Sequence, residues 1–179
     1  MTTLTVFDES GNVQEKLQQD EAITQFLTDQ GVLFEQWITL APEAQDSEAH
    51  IFESYRAEID RICKRGGYQT VDVVSVNEDS PNIAELREKF ISEHRHSEDE
   101  VRFFVRGEGL FYLHIDNKVV AVHCEAGDLI GVPANTPHWF DMGPEPDFAA
   151  IRFFNNPVGW IAHYTGSDIA EQYPYLETA

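Results

Sequence analysis

The stretch Glu93-His-Arg-His-Ser-Glu-Asp-Glu-Val-Arg102 carries the most informative pattern in the chain. His94 and His96 have the same parity, so on an extended strand both imidazoles point to one face. Glu100 shares that parity, and on an unbroken strand its carboxylate joins them. A cluster of nitrogen and carboxylate donors indicates a candidate metal site. A lone His-x-His pair would be weak support, because such histidines are often exposed or simply hydrogen-bonded.

A second block of sequence supplies one more candidate ligand. The turn Pro133-Ala-Asn-Thr-Pro137 is followed by His138, which we expect on a later strand. Three imidazoles and one carboxylate that converge inside a barrel suit a first-row transition-metal ion. The residues therefore predict a metal site formed by His94, His96, Glu100 and His138.

The sequence around these blocks alternates short strands with turns and has helices mainly near its start. We predict strands over 3–7, 32–40, 68–76, 101–105, 110–116, 118–124, 128–132 and 148–154, and helices over 20–30, 47–66 and 82–90, with a polar loop over 42–46. Ser47 is suited to cap the second helix, and Gly31 and Gly67 to end the first two. Short strands at this spacing favour a β-barrel or sandwich.

The two blocks together resemble the cupin family, whose pattern is approximately G-x5-H-x-H-x3,4-E-x6-G followed by G-x5-P-x-G-x2-H-x3-N. The matching residues are His94, His96, Glu100 and Gly107 in the first block, and Gly127, Pro133 and His138 in the second. The chain departs from the pattern at Glu88, Asn135 and Met142, and none of these is an expected ligand. The resemblance implies a mainly-β fold, a cupin-like antiparallel β-barrel (jelly roll) with a few peripheral α-helices.

We expect one cupin-type domain over 1–179. Within it, 1–67 form scaffold strands and helices, 68–160 the metal-binding barrel, and 161–179 a C-terminal tail. The length suits a single domain with one sizeable core.

A closer resemblance is to the acireductone dioxygenase family of methionine salvage. It rests on 93–102, on Gly127-Asp-Leu-Ile-Gly-Val-Pro-Ala-Asn-Thr-Pro-His-Trp-Phe-Asp-Met-Gly143, and on the segment from Arg152-Phe-Phe-Asn-Asn-Pro157 to Trp160. It is strongest over 68–160. The resemblance implies one Fe(II) or Ni(II) ion per chain, held by His94, His96, Glu100 and His138.

The reaction implied by this resemblance is the cleavage of acireductone, 1,2-dihydroxy-3-keto-5-(methylthio)pentene, by O2. The iron form would give 4-methylthio-2-oxobutanoate and formate, and the nickel form methylthiopropanoate, formate and CO. The ligand chemistry is compatible, because four protein ligands on an octahedral ion leave two positions for a bidentate enediolate. On a tetrahedral zinc ion the same four ligands would close the site.

Arg102 has the same parity as the ligands, so we expect its side chain to point into the same cavity. A buried guanidinium needs an anionic partner. That partner could be an internal carboxylate or a substrate anion. The resemblance implies a catalytic role in which Arg102 favours the doubly deprotonated acireductone.

Four further residues are candidates for smaller roles. By the same resemblance, Asp99 would relay local conformational changes and Glu93 would assist metal loading, although both could equally be solvated surface carboxylates. Phe90 and Phe140 flank the two blocks and could line the substrate pocket, and core packing would explain them equally well.

Composition excludes several classes of protein. The 179 residues include 12 Lys and Arg and 32 Asp and Glu. The resulting net charge of −20 argues against binding to nucleic acid or an anionic membrane. A hydrophobic fraction of 42% is too high for a disordered chain. Cys63 and Cys124 lie far apart, which argues against a disulfide framework.

With no signal peptide or membrane segment, we expect a soluble, cytoplasmic monomer whose partners are a small-molecule substrate and O2.

Two alternative functions remain open on the sequence alone. One is a different metal cupin enzyme, such as an isomerase or another dioxygenase, with the same ligands and other pocket residues. The other is a non-catalytic cupin that binds a small ligand. The intact ligand set argues against the second alternative, because a binding barrel has no need of an open metal site.

Overall fold

In the computed structural model, which describes residues 1–40 and 47–177, the chain forms two antiparallel β-sheets. The strands are β1 (Thr3–Asp8), β2 (Val13–Leu17), β3 (Leu33–Gln36), β4 (Thr70–Val76), β5 (His94–Arg95), β6 (Glu100–Arg106), β7 (Glu108–Ile115), β8 (Lys118–Glu125), β9 (Asp128–Val132), β10 (His138–Asp141), β11 (Phe148–Phe154) and β12 (His163–Tyr164). The larger sheet has the order β12-β5-β10-β7-β8-β1-β2, and the smaller sheet has the order β3-β9-β6-β11-β4.

Alternating side chains on the strands fill the space between the two sheets. Leu4, Phe111 and Val120 of the larger sheet meet Phe104 and Ile130 of the smaller sheet in one buried apolar cluster. Two antiparallel sheets closed around one core form the cupin-type jelly-roll barrel that the sequence predicts. The prediction of a mainly-β fold with peripheral helices is confirmed.

The outer faces of the two sheets are covered by different parts of the chain. The helices are α1 (Asp20–Asp29), α2 (Glu48–Ser54), α3 (Arg56–Gly66) and α4 (Ile83–Ile91), and 3-10 turns follow at Pro157–Trp160 and Ile169–Gln172. Helices α2 and α3 pack on the outward side chains of the smaller sheet, such as Phe103 and Ile151. Tyr173, after the second 3-10 turn, covers Tyr112 and Trp139 on the larger sheet.

The prediction of one helix over 47–66 is wrong in one respect, because the helix breaks at Tyr55. The Tyr55 ring is buried 5.0 Å from that of Phe103, and its hydroxyl accepts a hydrogen bond from the Leu40 amide. Burial of the ring thus takes precedence over helical continuity. The Ser47 cap is confirmed, since its hydroxyl accepts from the His50 amide, and α3 ends at Gly67 in the left-handed conformation.

The early part of the chain contributes strands to both sheets. β1 pairs with β8 in the larger sheet, and β3 pairs with β9 in the smaller sheet. β3 is shorter than the strand predicted over 32–40, and the loop expected over 42–46 lies outside the described residues. β2 was not predicted, because this edge strand is almost wholly exposed and shows no apolar alternation.

In the described part of the chain, Cys63 and Cys124 are free thiols. Within those same residues, no helix combines the length and the apolar character that crossing a membrane requires.

Candidate metal centre

The four predicted ligands meet between the two sheets. His94 lies on β5, directly opposite His138 on the neighbouring strand β10, whereas Glu100 begins β6 of the other sheet. One ligand atom from each of these residues and from His96 lies within 4.8 Å of the others, and all four residues are buried. The structure therefore brings together the whole predicted ligand set.

The path of the chain between these residues differs from the prediction. His94, His96 and Glu100 do not share one unbroken strand, because β5 ends at Arg95 and the chain crosses to the smaller sheet over 96–99. The crossover is fixed to the loop before β10, since the Asn135 amide donates to the His96 carbonyl at 2.8 Å. The ligands converge because the two sheets face each other, and not because of strand parity.

Three backbone carbonyls orient the three imidazole rings. The Nδ1 atom of His94 lies 2.7 Å from the Ser92 carbonyl oxygen. Those of His96 and His138 lie 3.1 and 2.8 Å from the carbonyl oxygens of Ile161 and Thr136. A carbonyl can only accept, so each Nδ1 carries the hydrogen and the Nε2 lone pair of each neutral ring is left for a metal ion.

The spacing of the ligand atoms fits one ion. The Nε2 atoms of His96 and His138 lie 3.0 and 2.8 Å from the same carboxylate oxygen of Glu100. Adjacent ligands of an octahedral ion are separated by roughly 3 Å when each lies about 2.1 Å from the metal. The donor set, its burial and its spacing therefore fit a divalent transition-metal ion.

The charge states of His94 and Glu100 also suit a metal. Burial, together with the neighbouring His138, lowers the pKa of His94 to about 4, so the imidazole is neutral at pH 7. Burial acts to raise the pKa of Glu100, but the Arg102 guanidinium and the neighbouring His138 and His96 outweigh it. The pKa of Glu100 consequently lies well below its usual range. Neutral imidazole and ionised carboxylate are the forms that bind metal.

Arg102 extends into the same space from β6, as its parity predicts. Its Nε lies 2.7 Å from a Glu100 oxygen in an ion pair, without the angles of a hydrogen bond. The guanidinium carbon lies between 5.3 and 6.0 Å from the ring centres of Phe90, Phe111, Phe140 and Trp160. Burial lowers the pKa of Arg102, yet a guanidinium stays charged.

Phe90 and Phe140 lie between the apolar core and Arg102. Phe140 belongs to the apolar core and Phe90 packs against it. The same two rings also form part of the wall around Arg102. Trp160 completes this wall and stacks on His96, with ring centres 6.2 Å apart. Sequence reasoning gave Trp160 no role, because nothing in the local pattern shows that its ring turns inwards.

Glu93 is buried and is not a solvated surface carboxylate, whereas Asp99 is partly exposed. Asp99 accepts hydrogen bonds from the Tyr68 hydroxyl at 3.0 Å and from the Ala134 amide at 2.9 Å. Glu93 is only 5% exposed. Its two oxygens lie 2.7 Å from His114 Nδ1 and 2.7 Å from the Thr165 hydroxyl. Both carboxylates tie the segment around the ligands to neighbouring elements.

A jelly-roll barrel that encloses three histidines and one glutamate is a metal-binding cupin. Comparison with known proteins identifies the family within this class. The family model described as ARD/ARD′ matches residues 3–162. The chain therefore belongs to the ARD/ARD′ family.

Curated relatives match the chain over nearly its full length. An acireductone dioxygenase from Alcanivorax borkumensis is 54% identical over 178 residues, covering 97% of each chain. One from Pseudomonas aeruginosa is 53% identical over 180 residues, covering 99% of each. A solved structure, an acireductone dioxygenase from Bacillus anthracis with a cadmium ion in its active centre, is 32% identical. It superposes with a TM-score of 0.82 and covers 92% of this chain and 98% of its own.

Proposed function

We propose that this protein is a metal-dependent dioxygenase that cleaves acireductone with O2. The observation that carries the proposal is the buried group of three histidines and Glu100, with the Arg102 guanidinium beside it. The names of the relatives agree with this reaction.

The metal we propose is one Fe(II) or Ni(II) ion per chain. His94, His96, Glu100 and His138 would hold it, and imidazole with carboxylate suits both ions. The described ligand group contains no thiolate, which would favour a softer metal. When bound, the ion supplies Lewis acidity and a template for the substrate oxygens.

Arg102 would balance the charge of the substrate. Its positive charge and the negative charge of Glu100 cancel, so a divalent ion in the site leaves two positive charges unmatched. A doubly deprotonated acireductone matches them. Because Arg102 and Glu100 are both buried, this electrostatic preference acts in a low-dielectric environment and is stronger than it would be in water.

The aromatic wall would bind the apolar part of the substrate and exclude water. Phe90, Phe140 and Trp160 surround the guanidinium and leave few polar groups for solvent. Exclusion of water strengthens the electrostatic interactions and protects a reactive enediolate from side reactions.

We also propose that Asp99 and Glu93 act on the site indirectly. Asp99 connects the crossover between His96 and Glu100 to Ala134 in the loop before His138. That connection supports a role in relaying conformational changes between the two ligand blocks. Glu93 adjoins His94 and is anchored by His114 and Thr165, which supports a role in metal loading.

The ion would decide the products. We propose that the iron form gives 4-methylthio-2-oxobutanoate and formate, in methionine salvage, and that the nickel form gives methylthiopropanoate, formate and CO. The same four ligands serve both ions, so metal supply would select the outcome. We further propose that the protein works in the cytoplasm as a monomer.

Product analysis tests this proposal. Protein stripped of metal and reloaded with either ion is mixed with acireductone in air-saturated buffer, and the products are identified by nuclear magnetic resonance and CO trapping. We expect the oxo acid from the iron form and CO from the nickel form alone. The same products from both loaded forms would contradict the dependence on metal, and products equal to those of spontaneous oxidation would contradict the enzyme assignment.

A further inference from the structure

Two buried side-chain nitrogens in the described part of the chain have no hydrogen-bond partner: Arg102 Nε and Trp160 Nε1. They belong to neighbouring side chains, since the Arg102 guanidinium carbon lies 5.3 Å from the Trp160 ring centre. A buried donor without an acceptor is costly, and native structures retain few of them. Arg102 Nε is ion-paired with a Glu100 oxygen at 2.7 Å, so of these two donors only Trp160 Nε1 lacks an acceptor, and its place beside the candidate metal centre indicates that a ligand brings one.

Two charged side-chain pairs surround Trp160. Its ring lies between two guanidinium groups, with the carbon of Arg152 5.2 Å and that of Arg102 5.3 Å from the ring centre. Arg152 is paired with Asp72 at 2.7 Å, and Arg102 with Glu100 at 2.7 Å. Neither carboxylate accepts a hydrogen bond from the indole. The indole N–H is therefore a donor between two ion pairs, and the protein leaves it without an acceptor.

The segment that carries Trp160 is held in place from both sides. Glu98, in the crossover between the ligands, accepts hydrogen bonds from the Asn155 and Asn156 amides at 3.2 Å. On the other side, the Ile161 carbonyl oxygen lies 3.1 Å from Nδ1 of the ligand His96. The indole is thus tied to the same backbone that positions the ligands, which is the preorganisation that a binding donor needs.

We propose that the Trp160 indole N–H donates a hydrogen bond to an oxygen of the bound enediolate. Acireductone carries three oxygen atoms, and a metal ion held by the three histidines and Glu100 would bind two of them in a bidentate substrate. The third oxygen then needs a protein donor. Trp160, next to Arg102, is placed to supply one. The inference rests on the proposed function, because acireductone is the ligand that provides this acceptor.

The test is anaerobic binding, which separates recognition from turnover. Ni(II)-loaded protein is titrated with acireductone without oxygen in a calorimeter, for the wild type and for Trp160→Phe, which keeps an aromatic ring and removes the N–H. Trp37→Phe is the matched control, because the Trp37 N–H already donates to Glu35 at 2.9 Å. We expect the dissociation constant to rise about tenfold in Trp160→Phe, the worth of one hydrogen bond to a charged acceptor. We expect unchanged binding in the control and equal metal content in all three proteins.

A second measurement on the unmutated protein covers the case in which Trp160→Phe folds poorly. With 15N-labelled tryptophan and diamagnetic Cd(II), the ion in the active centre of the solved relative, the indole proton of Trp160 should move downfield on saturation with acireductone, and that of Trp37 should stay in place. An unmoved Trp160 resonance, or equal binding by Trp160→Phe and the wild type, would overturn the inference and leave the proposed function intact. Wild-type protein that binds no acireductone would overturn both.

Discussion

At the scale of single residues, substitution of Arg102 tests substrate recognition without removing a metal ligand. It contacts Glu100 but is not among the candidate ligands. We predict that Arg102→Ala keeps its metal and loses about 100-fold in kcat/KM, because the substrate dianion loses its counter-charge. Metal content by elemental analysis and steady-state oxygen uptake measure the two effects separately. Full activity in this variant would contradict the charge argument.

The residue types of the centre were predictable from the sequence, and its geometry was only partly so. Spacing selected His94, His96 and Glu100, and the turn before His138 supplied the fourth residue. The argument from one continuous strand was wrong, because the hydrogen bond from Asn135 to His96 belongs to a crossover that no local pattern shows. Trp160 was not predicted as part of the wall, because the turn that carries it is positioned by contacts between segments far apart in sequence, from Glu98 to Asn155 and Asn156 and from His96 to Ile161.

At the scale of elements, the 3-10 turn Pro157–Trp160 depends on close packing at Gly159. A Cβ atom there would lie 2.5 Å from carbons of the Glu98 side chain. That side chain could move only by giving up its hydrogen bonds to Asn155 and Asn156.

We predict that Gly159→Ala displaces the Trp160 ring and lowers kcat/KM by about 10-fold to 100-fold with the metal retained. Val158→Ala is the matched control, because Val158 is 62% exposed and should tolerate the change. Kinetics and metal content of both variants check the prediction. An unchanged rate in Gly159→Ala would show that the placement of this turn is unimportant.

His114 joins several elements through two carboxylates. Its Nδ1 lies 2.7 Å from Glu93 and its Nε2 2.9 Å from Glu9, in the turn after β1. Burial acts to lower the pKa of His114, but the hydrogen bonds to Glu9 and Glu93 outweigh it and the pKa is raised. A folded-state pKa above the unfolded value of 6.5 gives stability that is fully present below pH 6.5. That stability is lost as the pH rises through the folded-state pKa.

We therefore predict that His114→Gln lowers the free energy of unfolding more at about pH 6 than at about pH 8.5. Urea unfolding of the variant and the wild type at both values measures the difference. His123→Gln is the control, since His123 has one carboxylate contact, with Glu108. A destabilisation of equal size at both pH values would contradict the prediction.

Secondary structure was predictable where burial and periodicity agree. The strands β6 to β9 match their predicted positions within two residues, because their alternating apolar side chains face a core. The helix over 47–66 was not predicted correctly, because burial of Tyr55 against Phe103 interrupts it. Strand β2 carries no apolar pattern, since it is an exposed edge strand that pairs with β1.

At the scale of the whole molecule, the candidate metal centre connects the two sheets. His94 and His138 belong to the larger sheet, and Glu100 belongs to the smaller. A bound ion would therefore stabilise the closed barrel. We predict that removing the metal with a chelator lowers the melting temperature by about 5–10 °C, compared with protein in about 100-fold excess of metal over its Kd. Calorimetry with and without chelator checks this, and an unchanged melting temperature would show that the ion does not hold the sheets together.

The architecture of the barrel was predictable as a class, and its strand order was not. Short strands and turns indicated a barrel or sandwich, and the resemblance of the two blocks to cupins selected the jelly roll. The pairing of β1 with β8, and of β3 with β9, depends on contacts between residues far apart in sequence. Such pairings leave no signal in the local pattern.

The central claim is that the buried histidines and Glu100 hold the metal of an acireductone dioxygenase. The most direct test is oxygen uptake by protein reloaded anaerobically with Fe(II) and given acireductone, compared with His96→Ala under the same conditions. We predict uptake far above the spontaneous rate in the wild type, and the spontaneous rate in His96→Ala, whose metal content also falls. Wild-type protein with its metal bound that consumes oxygen no faster than His96→Ala would contradict the dioxygenase assignment.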